Sequence, residues 1–264
     1  MKIGRIEWES APTWVGSEND KDFYRLSSSP FEEGYLTTEK VDFQNALTPL
    51  EPPQIFCIGL NYRKHAAEFN NPIPEYPVIF HKSITSILEP GGKIQIPQYA
   101  GATFVDYEVE LAIVIGKKTN NVSKEDALDY VLGYTIANDV TSRDWQKGTK
   151  GGGQWCRAKS FDTFCPLGPW IVTKDELTDP NNLQLESFVN GESRQRSNTS
   201  DMIFPVEELV SFLSQNTTLL PGTIILTGTP SGVGAGLDPK VRLKSGDEVK
   251  LVIEGIGELV NVVG

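Results

Sequence analysis

The sequence predicts a β-rich α+β fold, a mixed β-sandwich or roll with few helices and a small N-terminal extension. Three observations predict it. Short apolar runs of strand length outnumber helical stretches about three to one. Turn pairs such as Asn190-Gly191 and Gly246-Asp247 punctuate those runs. The runs also do not alternate with helices as βαβ units do.

In chain order, Lys2 to Trp8 reads as a strand, and the rest of residues 1–50 as polar loop with scattered aromatics. This is the small N-terminal region. The proline cluster Thr48-Pro49-Leu50-Glu51-Pro52-Pro53 reads as a linker, which leaves residues 54–264 as the main domain. Strands are expected at Ile55 to Leu60, Val78 to Phe80, Phe104 to Ile115 and Val131 to Asp139. Further strands are expected at Trp170 to Thr173, Leu185 to Val189, Thr223 to Thr227, Val249 to Glu254 and Leu259 to Val263. A short helix fits Tyr62 to Phe69. Ser123-Lys124-Glu125-Asp126, close to a capping box, leads into a second helix reaching Val131. Pro205 suits the first turn of a third, running to about Ser214.

At 264 residues the chain buries a sizeable core without staples. Its formal charge of -11 argues against nucleic acid and anionic membrane as partners, since both demand a cationic surface. A small anionic substrate then needs a local cation cluster or a bound metal. Cys57, Cys156 and Cys165 form no CxxC pair, and Met1 to Ile6 carries neither a secretory nor a transit signal. Reduced thiols and a cytoplasmic location are expected. Cys57, inside an apolar run, reads as a small buried hydrophobe.

The chemistry centres on Asp106-Tyr107-Glu108-Val109-Glu110. On a strand Glu108 and Glu110 point to one face, about 7 Å apart. Two solvated glutamates are the ordinary reading of a bare Glu-x-Glu. Asp139, at the end of another strand-like run, adds a third carboxylate. Three carboxylates without histidine or cysteine favour Mg2+ or Mn2+ over Ca2+ and Zn2+.

His65 and Glu68, three apart on a short helix, share a face, so the carboxylate can orient the imidazole as a general base. A surface ion pair is the alternative. Arg143, four residues after Asp139, is placed to fork onto a substrate carboxylate. Gln146 and Lys159 are placed to supply hydrogen bonds to oxygens that gain charge. The glycine-rich stretch at residues 148–153 lacks a P-loop ending and reads as a mobile loop. Gly228 to Gly236 leads into Leu237-Asp238-Pro239, not a helix, so it fails as a dinucleotide motif. Its expected role is to bring backbone N–H groups and the Thr229 hydroxyl to an anionic ligand.

In family order these motifs are Gly59-Leu60-Asn61-Tyr62 with His65 and Glu68, Asp106 to Glu110, Asp139 to Gln146, Lys159-Ser160-Phe161-Asp162 and Thr227-Gly228-Thr229-Pro230. The set resembles the fumarylacetoacetate hydrolase superfamily over residues 54–264. The runs Arg143-Asp144-Trp145-Gln146 and Phe161 to Pro169 are most similar to its domain-containing-protein-2 type. The resemblance implies a mixed β-roll, a homodimer, and Mg2+ or Mn2+ on Glu108, Glu110 and Asp139. It also implies a water-activating dyad of His65 and Glu68, with Arg143, Gln146, Lys159 and Thr229 around a 2-oxo-acid substrate. One departure is Leu60, where the acylpyruvase and oxaloacetate decarboxylase branch carries arginine.

The leading expectation is hydrolysis of a C–C bond in a 3-acylpyruvate or related β-diketo acid, releasing a pyruvate enolate. The alternatives are tautomerisation or decarboxylation of oxaloacetate at the same site. A third is a 2-oxo-acid binding module with no catalytic role.

Overall fold

Every residue of the strand Val109–Ile115 is buried, and this strand lies inside a mixed sheet. The computed structural model describes residues 1–32, 34–147 and 153–264. The sheet runs Leu36–Val41, Phe23–Leu26, Ala11–Ser17, Lys2–Trp8, Cys165–Thr173, Val131–Asn138, Val109–Ile115, Ile224–Leu226, Ile55–Gly59 and Val78–His81. A second sheet contains Glu192–Asn198, Gln184–Val189, Glu248–Ile253, Gly257–Val263 and Lys93–Ile94. It packs across the middle of the first. Leu111 and Ile113 meet Leu185, Leu251 and Leu259 between the sheets, while Ala112 and Val114 join Cys57, Ile171 and Ile224 on the other side. Burial on both faces explains why this strand reads as a nearly unbroken apolar run.

The β-rich α+β expectation is met. Among the described residues there are four α-helices: α1 (Arg63–Glu68), α2 (Arg143–Gln146), α3 (Trp155–Lys159) and α4 (Val206–Ser214). None is long and apolar enough to cross a membrane.

Strand direction gathers the site. Ile224–Leu226 runs parallel to Ile55–Gly59 and antiparallel to Val109–Ile115, which is antiparallel to Val131–Asn138. The ends at Gly59 and Leu226, the start at Val109 and the end at Asn138 therefore share one edge. Val109 pairs with Asn138 there, and the Asp139 N–H donates to the Glu108 carbonyl at 3.0 Å.

The structure corrects several expected elements. Residues 9–50 are not loop throughout: they hold Ala11–Ser17, Phe23–Leu26 and Leu36–Val41. Lys2–Trp8 turns into Ala11–Ser17 through Glu9 and Ser10, whose φ angles of 49° and 64° make a tight left-handed turn without glycine. Phe104 to Ile115 is broken after Asp106, so Glu108 sits between two strands while Glu110 is within one. The helix expected up to Val131 is a single 3-10 turn, Ala127–Tyr130. Ser123 Oγ does accept from the Asp126 N–H at 3.2 Å, but Val131 already begins the next strand. Residues 148–152 of the glycine-rich stretch lie outside the described residues.

Candidate active site

A cavity of about 460 Å³ opens at the shared strand edge. His65, Glu108, Glu110, Asp139, Arg143, Gln146, Lys159 and Thr229 all line it, and Glu68 stands immediately behind His65. Its apolar wall includes Ile58, Leu60, Phe69, Val78, Phe80 and Trp155.

Glu108, Glu110 and Asp139 are buried, and each offers an oxygen within 4.8 Å of the others. Around them runs an alternating chain of charge. Arg143 Nη2 lies 2.8 Å from Asp106 Oδ2 and 2.7 Å from Glu108 Oε1. Lys159 Nζ lies 2.7 Å from Glu108 Oε2 and also holds Asp139 Oδ2, while Lys82 Nζ reaches Asp139 Oδ1 at 2.6 Å. Three cations thus face three carboxylates, and Glu110 is a fourth carboxylate left over. Among the described residues it has no cationic partner, and its Oε2 accepts only the Gly228 N–H, at 2.7 Å.

Electrostatics follow this arrangement. Burial works to raise the Glu108 carboxyl, but Lys159 and Arg143 hold its pKa down at about 2. Burial, Asp139 and Glu108 together push Glu110 well above the usual carboxylate range. Burial opposes the charge on Lys159, yet Asp139 and Glu108 raise its pKa and keep it an ammonium. A buried carboxylate in excess, beside two others and with no nitrogen or sulfur donor in the cluster, fits a hard divalent cation.

The dyad is formed. His65 Nδ1 lies 2.8 Å from Glu68 Oε2, and Glu68 Oε1 accepts the Gly232 N–H at 2.8 Å. With Nδ1 committed to the carboxylate, Nε2 is the ring nitrogen left for proton transfer.

Other expected residues are engaged differently. Arg143 spends its guanidinium on Asp106, Glu108 and Gln146, the last through Nη1 to Oε1 at 2.8 Å. The Thr229 hydroxyl donates to the Val109 carbonyl at 3.0 Å and accepts from Gln195 Nε2 at 2.7 Å. The glycine loop presents backbone N–H groups to the protein's own anions. Gly228 serves Glu110, Gly232 serves Glu68, and Gly234 and Ala235 serve Asp106. Gly228 holds φ at +96°, where side chains other than glycine are strained.

Several site residues escaped the sequence reading. Asp106 accepts from Arg143, Gly234 and Ala235 and is fully buried. Its spacing, two residues before Glu108 and four before Glu110, was a signal for it. Gln195 joins the sheets by accepting from the Val109 N–H and donating to Thr229, but its strand was not anticipated. Lys82, buried against Asp139, had no signal in the sequence beyond its place at a strand end.

A family model described as fumarylacetoacetate (FAA) hydrolase C-terminal matches residues 54–264. A Bos taurus protein, oxaloacetate tautomerase FAHD2A, mitochondrial, is 50% identical over 228 residues, covering 86% of this chain and 71% of that protein. The fumarylacetoacetate hydrolase structure from Exiguobacterium antarcticum superposes with a TM-score of 0.89 at 36% identity, covering 100% of this chain and 99% of that one. The Mycobacterium marinum 2-hydroxyhepta-2,4-diene-1,7-dioate isomerase structure gives 0.85 at 41% identity, covering 100% and 98%.

Proposed function

The chain belongs to the fumarylacetoacetate hydrolase family, and on that premise we propose that it interconverts the keto and enol forms of oxaloacetate with a divalent cation on Glu108, Glu110 and Asp139. The observation that carries this reading is the un-neutralised Glu110 in a three-carboxylate floor, facing a cavity that His65 also lines. The name of the bovine relative supports tautomerisation over the C–C hydrolysis that the sequence put first.

Tautomerisation needs a proton moved between C3 and the 2-oxygen, with nothing oxidised and no bond to carbon broken except C–H. In the enol-forming direction, His65 Nε2 takes the C3 proton and the C–H electron pair becomes the C2–C3 double bond. Glu68 holds the ring in place through Nδ1, with Gly232 fixing the carboxylate. Lys159, kept charged by Asp139 and Glu108, donates a hydrogen bond to the 2-oxygen, which takes a proton from a water as that water recovers one from the His65 imidazolium. Gln146, its carbonyl oxygen occupied by Arg143, directs its amide N–H groups to the substrate oxygens. Glu108, Glu110 and Asp139 would hold the divalent cation, Mg2+ or Mn2+, which when bound would supply Lewis-acid polarisation of the 2-oxo group. The reverse direction uses the same groups.

A cavity of about 460 Å³ has room beyond a four-carbon acid, which favours C–C hydrolysis of a longer 3-acylpyruvate as the second reading. The homodimer and the cytoplasmic location are retained as part of this proposal. Assaying the protein with Mg2+ on oxaloacetate and acetylpyruvate side by side tests it. Accelerated oxaloacetate tautomerisation with acetylpyruvate intact supports the first reading. Cleavage of acetylpyruvate without tautomerisation overturns it in favour of the second.

A further inference from the structure

We propose that Lys147 binds the carboxylate at the end of the substrate remote from the 2-oxo group, and so sets a preference for dicarboxylic over monocarboxylic 2-oxo acids. The inference rests on the reading of the cavity as a 2-oxo-acid site.

Among the described residues three cations line the cavity, and they are not equivalent. Arg143 and Lys159 are committed to Asp106, Glu108 and Asp139. Lys147 has no carboxylate partner within ion-pair distance among the described residues. Its Nζ instead sits 4.1 Å from the centroid of Phe69, whose ring packs edge-on against His65 at 5.3 Å. That stack places the ammonium on the His65 wall, apart from the carboxylate floor. Partial burial, Arg143 and Lys240 together press its pKa below the ordinary lysine range, against the opposite pull of Asp106 and Glu68. In a chain of net charge -11, an ammonium with no carboxylate partner among the described residues is the kind of local cation an anionic substrate requires.

The chemistry of oxaloacetate matches the geometry. One end carries the 2-oxo-carboxylate pair, which suits a divalent cation on the floor. The other end carries a carboxylate, for which an ammonium on the His65 wall is the complementary partner. Lys147 supplies that cation, and Phe69 holds it by a cation–π contact until the carboxylate arrives. Lys147 is itself exposed, so replacing it leaves the core and the carboxylate floor intact.

Calorimetry on the Mg2+-loaded protein tests this with two unreactive probes. N-oxalylglycine carries the far carboxylate, and N-ethyloxamate keeps the same oxo-acid end without it. The expected result is that Lys147→Met weakens N-oxalylglycine about tenfold or more, leaves N-ethyloxamate within about twofold, and is largely reversed in Lys147→Arg. In turnover, Lys147→Met raises KM for oxaloacetate with kcat nearly unchanged, as loss of a uniform binding contact does. Equal weakening of both probes, or no weakening of either, overturns the proposal. The probe discrimination is read without turnover. If Lys147→Met shows the stated loss but the wild-type protein does not tautomerise oxaloacetate, the reaction assignment falls while the role of Lys147 stands.

Discussion

Gly232 donates its backbone N–H to Glu68 Oε1 at 2.8 Å, and that bond leaves Oε2 to hold His65 Nδ1 at the same distance. The glycine loop thus orients the candidate base through the carboxylate. Gly236, in the same loop, guards that arrangement: a β-carbon there lies 2.5 Å from Glu68 Oε1 and 2.6 Å from its carboxyl carbon. Gly236→Ala displaces the flexible end of Glu68, not backbone. Turnover is expected to fall about tenfold while the melting temperature moves little, and equal activity in the two proteins contradicts this coupling.

His65 and Glu68 should separate by rank. Removing the base in His65→Ala is expected to lower kcat roughly 10²- to 10⁴-fold, the range of general acid–base catalysis. Glu68→Gln keeps a hydrogen-bond partner but loses the charge, so its loss should be smaller. Initial rates of keto–enol interconversion measure both, and a larger effect at Glu68 contradicts the assignment of His65 as the base.

Glu110 gives a pH prediction for the protein in chelator. Its folded pKa is raised above the ordinary 4.5 by burial, Asp139 and Glu108. The sign follows from linkage: the unfolded chain releases this proton more readily, so the native state loses stability as pH rises above about 4.5, until the folded group ionises as well. Glu110→Gln removes that penalty and keeps an acceptor for the Gly228 N–H. Its metal-free form is expected to be more stable than wild type near neutral pH, by on the order of 1 kcal/mol. With Mg2+ at about a hundredfold over its Kd, wild type gains about 2.7 kcal/mol and the variant gains little. Thermal scans with chelator and with Mg2+ check both halves.

Much of this site was legible because its chemistry repeats at short spacing. Glu108 and Glu110 lie two apart, His65 and Glu68 three apart, and Arg143 and Gln146 three apart. Such pairs meet through local geometry even where the local structure was misjudged, as with the strand break before Glu108. The glycine loop presents its N–H groups to anions that belong to the chain itself, Glu110, Glu68 and Asp106. Long-range partners had no comparable signal. Lys82 reaches Asp139 across 57 positions and Gln195 reaches Val109 across 86, contacts that only the sheet pairing creates. The hairpin at Glu9 and Ser10 was hidden because neither residue type advertises a positive φ.

Asp106 is expected to be a stability residue, not a metal ligand. It is buried, and it neutralises Arg143 while accepting from Gly234 and Ala235. Asp106→Asn removes one of the two carboxylates paired with the buried guanidinium and leaves Glu108, at a cost of about 1–3 kcal/mol. The urea midpoint should fall accordingly, and an unchanged midpoint contradicts the role given to this pair.

The proposed proton shift depends on a cation held by Glu108, Glu110 and Asp139. The most direct test follows the ultraviolet absorbance of enol-oxaloacetate as it converts to the keto form, with and without protein at the same Mg2+ concentration. Conversion should be accelerated by the wild-type protein, return to the protein-free rate on chelation, and recover when Mg2+ or Mn2+ is restored, whereas Glu110→Gln should stay at the protein-free rate throughout. Full acceleration by wild type in chelator, or by Glu110→Gln in Mg2+, contradicts the claim.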